Sequence, residues 1–280
     1  MCFRLFSPQE SLTLEEPFRS LWAGRDVFAE VSRLTGKTYR TMPGRRTLRF
    51  EMEGKGYFLK CHDGVGWREI FKNLLSGKLP VLGAETEWQA LRALASAGLS
   101  AARVAGFGAR GRNPARRQSF LITEEIAPAI DLETLTLSWK AAPPAARQKR
   151  ALIFAVARYL RAMHRAGINH RDCYLCHFLW KTADSALPPE KTPGLALIDL
   201  HRAQIRAATP CRWRDKDLAA LYFSARETGC TRQDHLRFLQ TYFAPRPLRE
   251  ILRDETKTLR ALEQKNARLM ARYQKYGERL

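Results

Sequence analysis

Four charged residues stand at the ends of apolar stretches: Lys60 after "YFL", Glu87 in "AETEWQAL", Asp172 after "INHR" and Asp199 after "LALI". Phosphoryl transfer from ATP asks for such a set. It needs a cation for the phosphates, an acid to hold that cation, a carboxylate beside the acceptor hydroxyl and a carboxylate for the metal. Lys60 and Glu87 lie 27 positions apart, room for a loop and a helical turn; Asp172 and Asp199 are also 27 apart, room for a hairpin with an insert. Either pair alone says little, because glutamate is at home on any solvated helix. All four in this order, with His170, Arg171 and Asp172 spelling H-R-D, form a pattern.

Two motifs compete and lose. From Cys173, "HRDCYLCHFL" (170–179) also reads C-x-x-C-H, the signature of covalent haem attachment. The N-terminal "MCFRLFSPQESLTLEEPF" has no apolar signal core, so export is not expected and the six cysteines should be reduced. No second ligand pair follows for zinc. Cys173 and Cys176 therefore read as small buried hydrophobes. "TGKT" (35–38) imitates the end of a P-loop, but Val31 stands where that motif needs glycine, and a strand should follow.

The elements that must position the four residues are legible. "RRTLRFEMEGKGYFLK" (45–60) is a hairpin with Lys60 near its end. "AETEWQALRALASAG" spaces Trp88, Leu91 and Leu94 as a helix that Gly98 stops. "SFLITEEI" is a short strand. "AARQKRALIFAVARYLRAMHRAG" puts Leu152, Val156, Leu160 and Met163 on one helical face, capped by Gly167. "LALIDL" (195–200) is a buried strand, and from "DLAALYFSARETG" onward the chain reads helical. The expected class is α+β and bilobal. A small β-rich lobe (1–127) would bind nucleotide, and a larger helical lobe (128–280) would carry catalytic loop, metal and acceptor sites.

Composition agrees with a folded chain of 280 residues, 45% hydrophobic and 10% aromatic. Lys plus Arg number 48 against 28 Asp plus Glu, a net charge of +20, so the partners should be polyanions. The longest apolar run falls far short of the ~20 residues that span a bilayer. The chain is expected in the cytoplasm, or peripherally on an anionic membrane surface.

These motifs resemble the protein-kinase-like superfamily and, within it, the lipopolysaccharide core heptose(I) kinase family (WaaP/RfaP). The likeness runs from about "EEPFRSLW" onward and rests on the hairpin, "LPVLGAETEWQAL", "SFLITEEI", "AGINHRDCYLCHFL", "IDLHRAQIR" and "RWRDKDLAALYFS". It implies a protein-kinase-like fold, ATP and Mg²⁺ as cofactors, and transfer of the γ-phosphate to O4 of the first heptose of the inner core. Lys60 would hold the α- and β-phosphates, paired with Glu87 or, as the alternative, Glu85. Backbone at Glu124, Glu125 and Ile126 would meet the adenine. Asp172 would address the acceptor hydroxyl, Asp199 would bind metal, and Asp217 would brace the catalytic loop or else N-cap a helix beginning at Leu218.

The sequence departs from the kinase pattern in several places. His177 stands five residues after Asp172, where kinases carry asparagine; it is a candidate metal ligand although Mg²⁺ prefers oxygen. "DLH" replaces D-F-G, and no G-x-G-x-x-G precedes Lys60; Gly44 with Arg45 and Arg46 offers a short phosphate loop instead. His170 reads as a packed histidine and Arg171 as a structural ion-pair residue. Asp199 to Asp217 is only 18 residues, short for an activation segment that holds a peptide.

The arginines at 110, 112, 116 and 117, and those at 202, 206, 212 and 214, would meet lipid A and Kdo charges and the inner-membrane surface. The partners expected are thus the lipid A–core acceptor and the anionic membrane surface. On charge alone a small acidic protein such as an acyl carrier protein joins them; nucleic acid is not expected. The C-terminal "TLRALEQKNARLMARYQKYGERL" lies on a membrane or packs on the large lobe. A Ser/Thr/Tyr kinase of the same fold and a non-catalytic nucleotide-binding scaffold remain as alternative functions.

Overall fold

The computed structural model describes residues 10–42, 44–75, 81–181 and 194–276. They divide into two compact units. The first runs to Arg92 and takes in Ala102–Glu125; the second comprises Ala93–Ala101 and everything from Ile126 onward.

The first unit contains β1 (Glu10–Leu14), α1 (Phe18–Leu21), α2 (Val27–Arg33), β2 (Lys37–Met42), β3 (Arg45–Met52), β4 (Lys55–His62), α3 (Gly66–Leu75), most of α4 (Glu85–Ser96), β5 (Val104–Arg110) and β6 (Gln118–Glu124). The strands form one antiparallel sheet in the order β1-β5-β6-β4-β3-β2. The β3–β4 hairpin turns on Glu53 and Gly54, both at positive φ (51° and 74°). That is the geometry of a two-residue turn whose twist matches the strands it joins. Leu48 and Phe50 of β3 and Tyr57 and Leu59 of β4 alternate onto one face. There they pack with Phe18, Trp22, Val27, Phe28, Phe120 and Ile122. Each such burial contributes about 1.5–3 kcal/mol. The same alternation turns Lys60 to the other face of the sheet. The strand β2 follows Gly36, where a P-loop would need a helix, in keeping with the rejection of that motif.

The second unit holds β7 (Ala129–Asp131), α5 (Leu132–Thr136), α6 (Ala146–Arg165), β8 (Ile168–Asn169), β9 (Phe178–Lys181), β10 (Leu195–Leu197), β11 (Gln204–Ile205), α7 (Cys211–Ser224), α8 (Arg232–Tyr242), α9 (Leu248–Asp254) and α10 (Thr256–Tyr276). Two small sheets, β10-β9-β7 and β11-β8, frame the loops between α6 and α7. Gly167 ends α6 at φ 76°, where a Cβ would run into the carbonyl of Arg206. Facing apolar side chains of α6, α7, α8 and α10, among them Leu152, Val156, Leu221, Leu239 and Leu262, line a cavity of about 350 Å³. α10 packs on the second unit: Tyr273 meets the edge of Phe223, and Thr258 accepts from Arg214 of α7. Among the described residues, no helix is long and apolar enough to cross a membrane.

The strand read at 195–200 is shorter than its apolar run. β10 stops at Leu197, and Asp199 takes φ 59°, outside any strand conformation.

Candidate active site

The residues singled out in the sequence gather in two groups, one in each unit. In the first, Lys60 Nζ lies 2.7 and 2.9 Å from the two carboxylate oxygens of Glu87, whose side chain is 7% exposed. Glu85, two residues earlier and so on another side of α4, accepts instead from Arg117 Nε at 2.7 Å. The pair with Lys60 is thus made by Glu87 and not by Glu85.

Glu124 and Glu125 have their N–H groups already donated, to Arg103 O (2.9 Å) and Gly56 O (2.9 Å). They can offer adenine only carbonyl oxygens. The Glu125 carboxylate takes two bonds of 2.8 Å from Arg49, over Gly56, where no side chain would fit. Ile126, the first residue of the second unit's main body, lies outside any strand.

The short phosphate loop expected at Gly44 is not built as expected. Arg46 donates to the carbonyls of Val31, Ser32 and Leu34 and so closes the C-terminus of α2. In the arginine-rich loop, Arg117 is buried on Glu85, and Arg110 pairs with Asp26 while lying over the ring of Phe28. These two are structural, because carboxylates brought from elsewhere in the chain claim them.

In the second unit the catalytic-loop residues are tied to the segment after β10. Asp217, fully buried in the middle of α7, accepts from the backbone N–H of His170 (2.6 Å) and of Arg171 (2.7 Å), and its Oδ2 also meets His164 Nε2 at 3.2 Å. It is therefore a brace; α7 begins six residues before it, at Cys211, so it is not an N-cap. His170 Nε2 donates to Ile198 O (3.0 Å), and its Nδ1 faces the N–H of Asp172 at 3.4 Å. Burial pushes the His170 pKa down, so the ring stays neutral in this bridging role.

Arg171 is not the ion-pair residue expected. Its backbone sits at φ 76° and its guanidinium lies over Trp213, 5.1 Å from the ring centre. Arg171 and Asp199 are two of the three non-glycine residues at positive φ among those described, and each flanks or is a candidate site residue. Such conformations cost of order 1–3 kcal/mol and persist where surrounding contacts hold them.

Asp172 is gripped by Arg202, whose Nη1 donates to both carboxylate oxygens at 2.8 and 2.9 Å. The sequence offered Arg202 as an acceptor-facing cation; its side chain instead positions Asp172. His177 donates from Nδ1 to the carbonyl of Asp172 at 2.7 Å, since a carbonyl can only accept. In the neutral ring the lone pair is then on Nε2, which lies 3.7 Å from Asp199 Oδ2. His177 also stacks on His170, ring centres 5.3 Å apart. The other oxygen of Asp199 accepts from His201 Nδ1 at 2.9 Å, a contact that only the "DLH" spelling could have flagged.

Asp199 brings a carboxylate, the oxygen donor that Mg²⁺ prefers; the ion takes one or two protein carboxylates and completes its shell with phosphate and water. His177 Nε2 stands beside that carboxylate, 3.7 Å from its Oδ2. Among the described residues, no group of three or more metal-ligating side chains converges. Cys173 and Cys176 remain outside the chemistry. Burial raises both thiols, Cys176 to about 11, so neither is a thiolate at neutral pH.

A lysine–glutamate pair on a β-strand and helix, a braced H-R-D loop and a metal-competent aspartate after a short strand are the parts of a kinase. Comparison with known proteins agrees. Residues 29–242 match the model of the lipopolysaccharide kinase (Kdo/WaaP) family. The lipopolysaccharide core heptose(I) kinase WaaP of Pseudomonas aeruginosa is 58% identical over 269 residues, 96% of this chain and 99% of that protein. The enzyme of the same name from Escherichia coli K12 is 49% identical, covering 94% of this chain and 98% of its own length. A solved structure described as WaaP in complex with acyl carrier protein superposes with a TM-score of 0.81 at 53% identity, covering 92% of this chain and 99% of that one. With the motif, the loop geometry and the match along nearly its whole length in accord, this chain belongs to the lipopolysaccharide kinase (Kdo/WaaP) family.

Proposed function

We propose that this protein transfers the γ-phosphate of ATP to O4 of the first heptose of the lipopolysaccharide inner core. The observation that carries the reading is the loop in which Asp217 braces the backbone and Arg202 orients the Asp172 carboxylate. The curated relatives named as core heptose(I) kinases supply the acceptor.

In this reading Lys60, oriented by Glu87, binds the α- and β-phosphates. Carbonyls at Glu124 and Glu125 and backbone at Ile126 meet the adenine. Asp199, with His177 beside it, would hold Mg²⁺, which would supply positive charge to the transferring phosphate. Asp172 accepts a hydrogen bond from the heptose hydroxyl and takes its proton as the new P–O bond forms. The protein works on the cytoplasmic face of the inner membrane, held there by its positive charge. An acyl carrier protein is a partner, as in the solved relative, and its acidity suits a chain of charge +20.

The test incubates purified protein with labelled ATP, Mg²⁺ and lipopolysaccharide lacking core phosphate, beside Asp172→Asn. Label should enter the glycolipid with the native protein and fall by roughly 10²–10⁴ in the variant. Retained ATP binding without transfer to glycolipid would refute the acceptor and leave a protein kinase or a non-catalytic scaffold.

A further inference from the structure

Four cations converge on one indole in the second unit. Arg171, Arg206 and Arg212 place their guanidinium carbons 5.1, 5.8 and 4.4 Å from the ring centre of Trp213, and Lys216 Nζ lies at 5.9 Å. Like charges this close repel, and proteins usually interleave carboxylates. Here the neighbouring arginines receive them. Arg202 is paired with Asp172, and Arg214 with Asp215 and Glu255. Among the described residues, none of the four around Trp213 has a carboxylate within ion-pair distance. Arg206 is held by two neutral acceptors, Asn169 Oδ1 and Gln204 Oε1, both at 2.8 Å. The Nε of Arg171 is buried without an acceptor.

The helix that carries Trp213 adds to the imbalance. α7 opens at Cys211 with no side-chain cap and no acidic residue in its first turn. A helix N-terminus bears partial positive charge and favours anions, so Arg212, in the first turn, stands where the backbone already repels it. Burial and the neighbouring arginines hold Lys216 below its ordinary pKa, and Arg171 likewise. Two carboxylates offset this repulsion in part, Asp172, which is already bound by Arg202, and more weakly Asp217, which is taken up by the backbone N–H groups of His170 and Arg171.

We propose that Arg171, Arg206, Arg212 and Lys216, arranged on Trp213, form an anion subsite for an acidic group of the acceptor, a sugar carboxylate or a sugar phosphate. The group would lie next to the residue whose hydroxyl Asp172 addresses. This rests on the acceptor reading above and specifies it: the anion sets which sugar is presented. A planar guanidinium matches either oxyanion with paired N–H groups.

The test measures binding apart from turnover. Deacylated lipopolysaccharide oligosaccharide lacking phosphate on its core heptoses, but keeping its sugar carboxylates and its other phosphates, is titrated into native protein, Arg212→Gln, Lys216→Gln, their double variant and the exposed control Arg249→Gln, with heat release as readout. ATP titrations run in parallel. The double variant should lose at least tenfold in oligosaccharide affinity, while its ATP affinity and that of the control stay within twofold. Reducing the oligosaccharide's carboxyl groups, or removing its remaining phosphates, should abolish the difference between native and double variant in one case, and so name the source. Unchanged oligosaccharide affinity in the double variant would overturn the proposal. So would a loss confined to ATP, which would make the cluster a nucleotide site. Because no phosphate transfer is needed, failure of the kinase assay would refute the proposed reaction while this titration still decided the subsite.

Discussion

Replacing Asp217 by asparagine should unhinge the catalytic loop while leaving the nucleotide side intact. The native carboxylate is fully buried and gives one oxygen to the Arg171 N–H at 2.7 Å and the other to the His170 N–H at 2.6 Å. Asparagine has the same shape but a single acceptor oxygen. In either orientation one backbone N–H faces the amide NH₂ and is stranded in the interior. A bond to a charged acceptor contributes about 1.5–3 kcal/mol, and a stranded buried donor costs about 1–3 kcal/mol. The two descriptions count the same loss, which should be about 1.5–3 kcal/mol. It falls on Arg171, whose φ of 76° needs external support, and Asp172 follows directly. A catalytic group displaced by about 1 Å can cost ~10²-fold in rate. Urea unfolding followed by tryptophan fluorescence gives the first quantity, and initial rates of ADP release with glycolipid acceptor give the second. ATP affinity should change less than about threefold, since Lys60 and Glu87 belong to the other unit. A variant within ~0.5 kcal/mol of native stability and with native turnover would refute the brace. Lost stability with native turnover would mean that Asp217 holds the fold without positioning Asp172.

Glu87→Gln should raise the KM for ATP by about tenfold or more by freeing Lys60, whereas Glu85→Gln should leave it unchanged and cost about 1–3 kcal/mol by stranding buried Arg117; nucleotide titrations and urea melts separate the two. If His177 Nε2 faces the metal, native protein should use Mn²⁺ at least as well as Mg²⁺, and His177→Asn, which offers oxygen, should shift preference toward Mg²⁺; an unchanged rate ratio between the two ions would exclude the contact. Burial alone would raise the pKa of Asp234, yet the bonds from Lys149 and Thr231 hold it at about 2, below its ordinary 3.8. A depressed carboxylate stabilises the fold above its unfolded pKa and loses that contribution as pH falls through the folded one. Native protein should therefore lose on the order of 2 kcal/mol between about pH 4 and 2, and Asp234→Asn should flatten that limb of the acid-unfolding curve.

Which carboxylates and arginines would matter was visible in the chain, but not how they pair. Glu85 and Glu87 are equally good helix residues; their partners are Arg117, from a loop 32 positions away, and Lys60, from a strand 27 positions away. The arginines at 202, 206, 212 and 214 look alike in a string of letters, yet one holds Asp172, one ties α7 to Glu255, and two face the indole of Trp213. The N-terminal segments that complete the first core, with Phe18, Trp22 and Phe28, are too short for periodicity to declare them.

By itself the sequence determined the class of chemistry and the order of its parts. Lys60 and Asp199 each follow an apolar run that must be buried, where a charged residue stands as burial gives way to an accessible edge, and Asp172 closes the H-R-D spelling. It also determined the hairpin, since glycine placed beside alternating strands leaves few other conformations. Only the tertiary structure decided what each charge touches. Asp217 became a brace because α7 carries it under the N–H groups of His170 and Arg171. Asp199 left its strand early, at a backbone angle that local preference disfavours, and there its carboxylate accepts from His201 Nδ1 at 2.9 Å. Local preference is worth tenths of a kcal/mol per residue, while a buried charge without its partner costs several. Long-range pairing therefore overrides the local pattern at the residues proposed to do the chemistry.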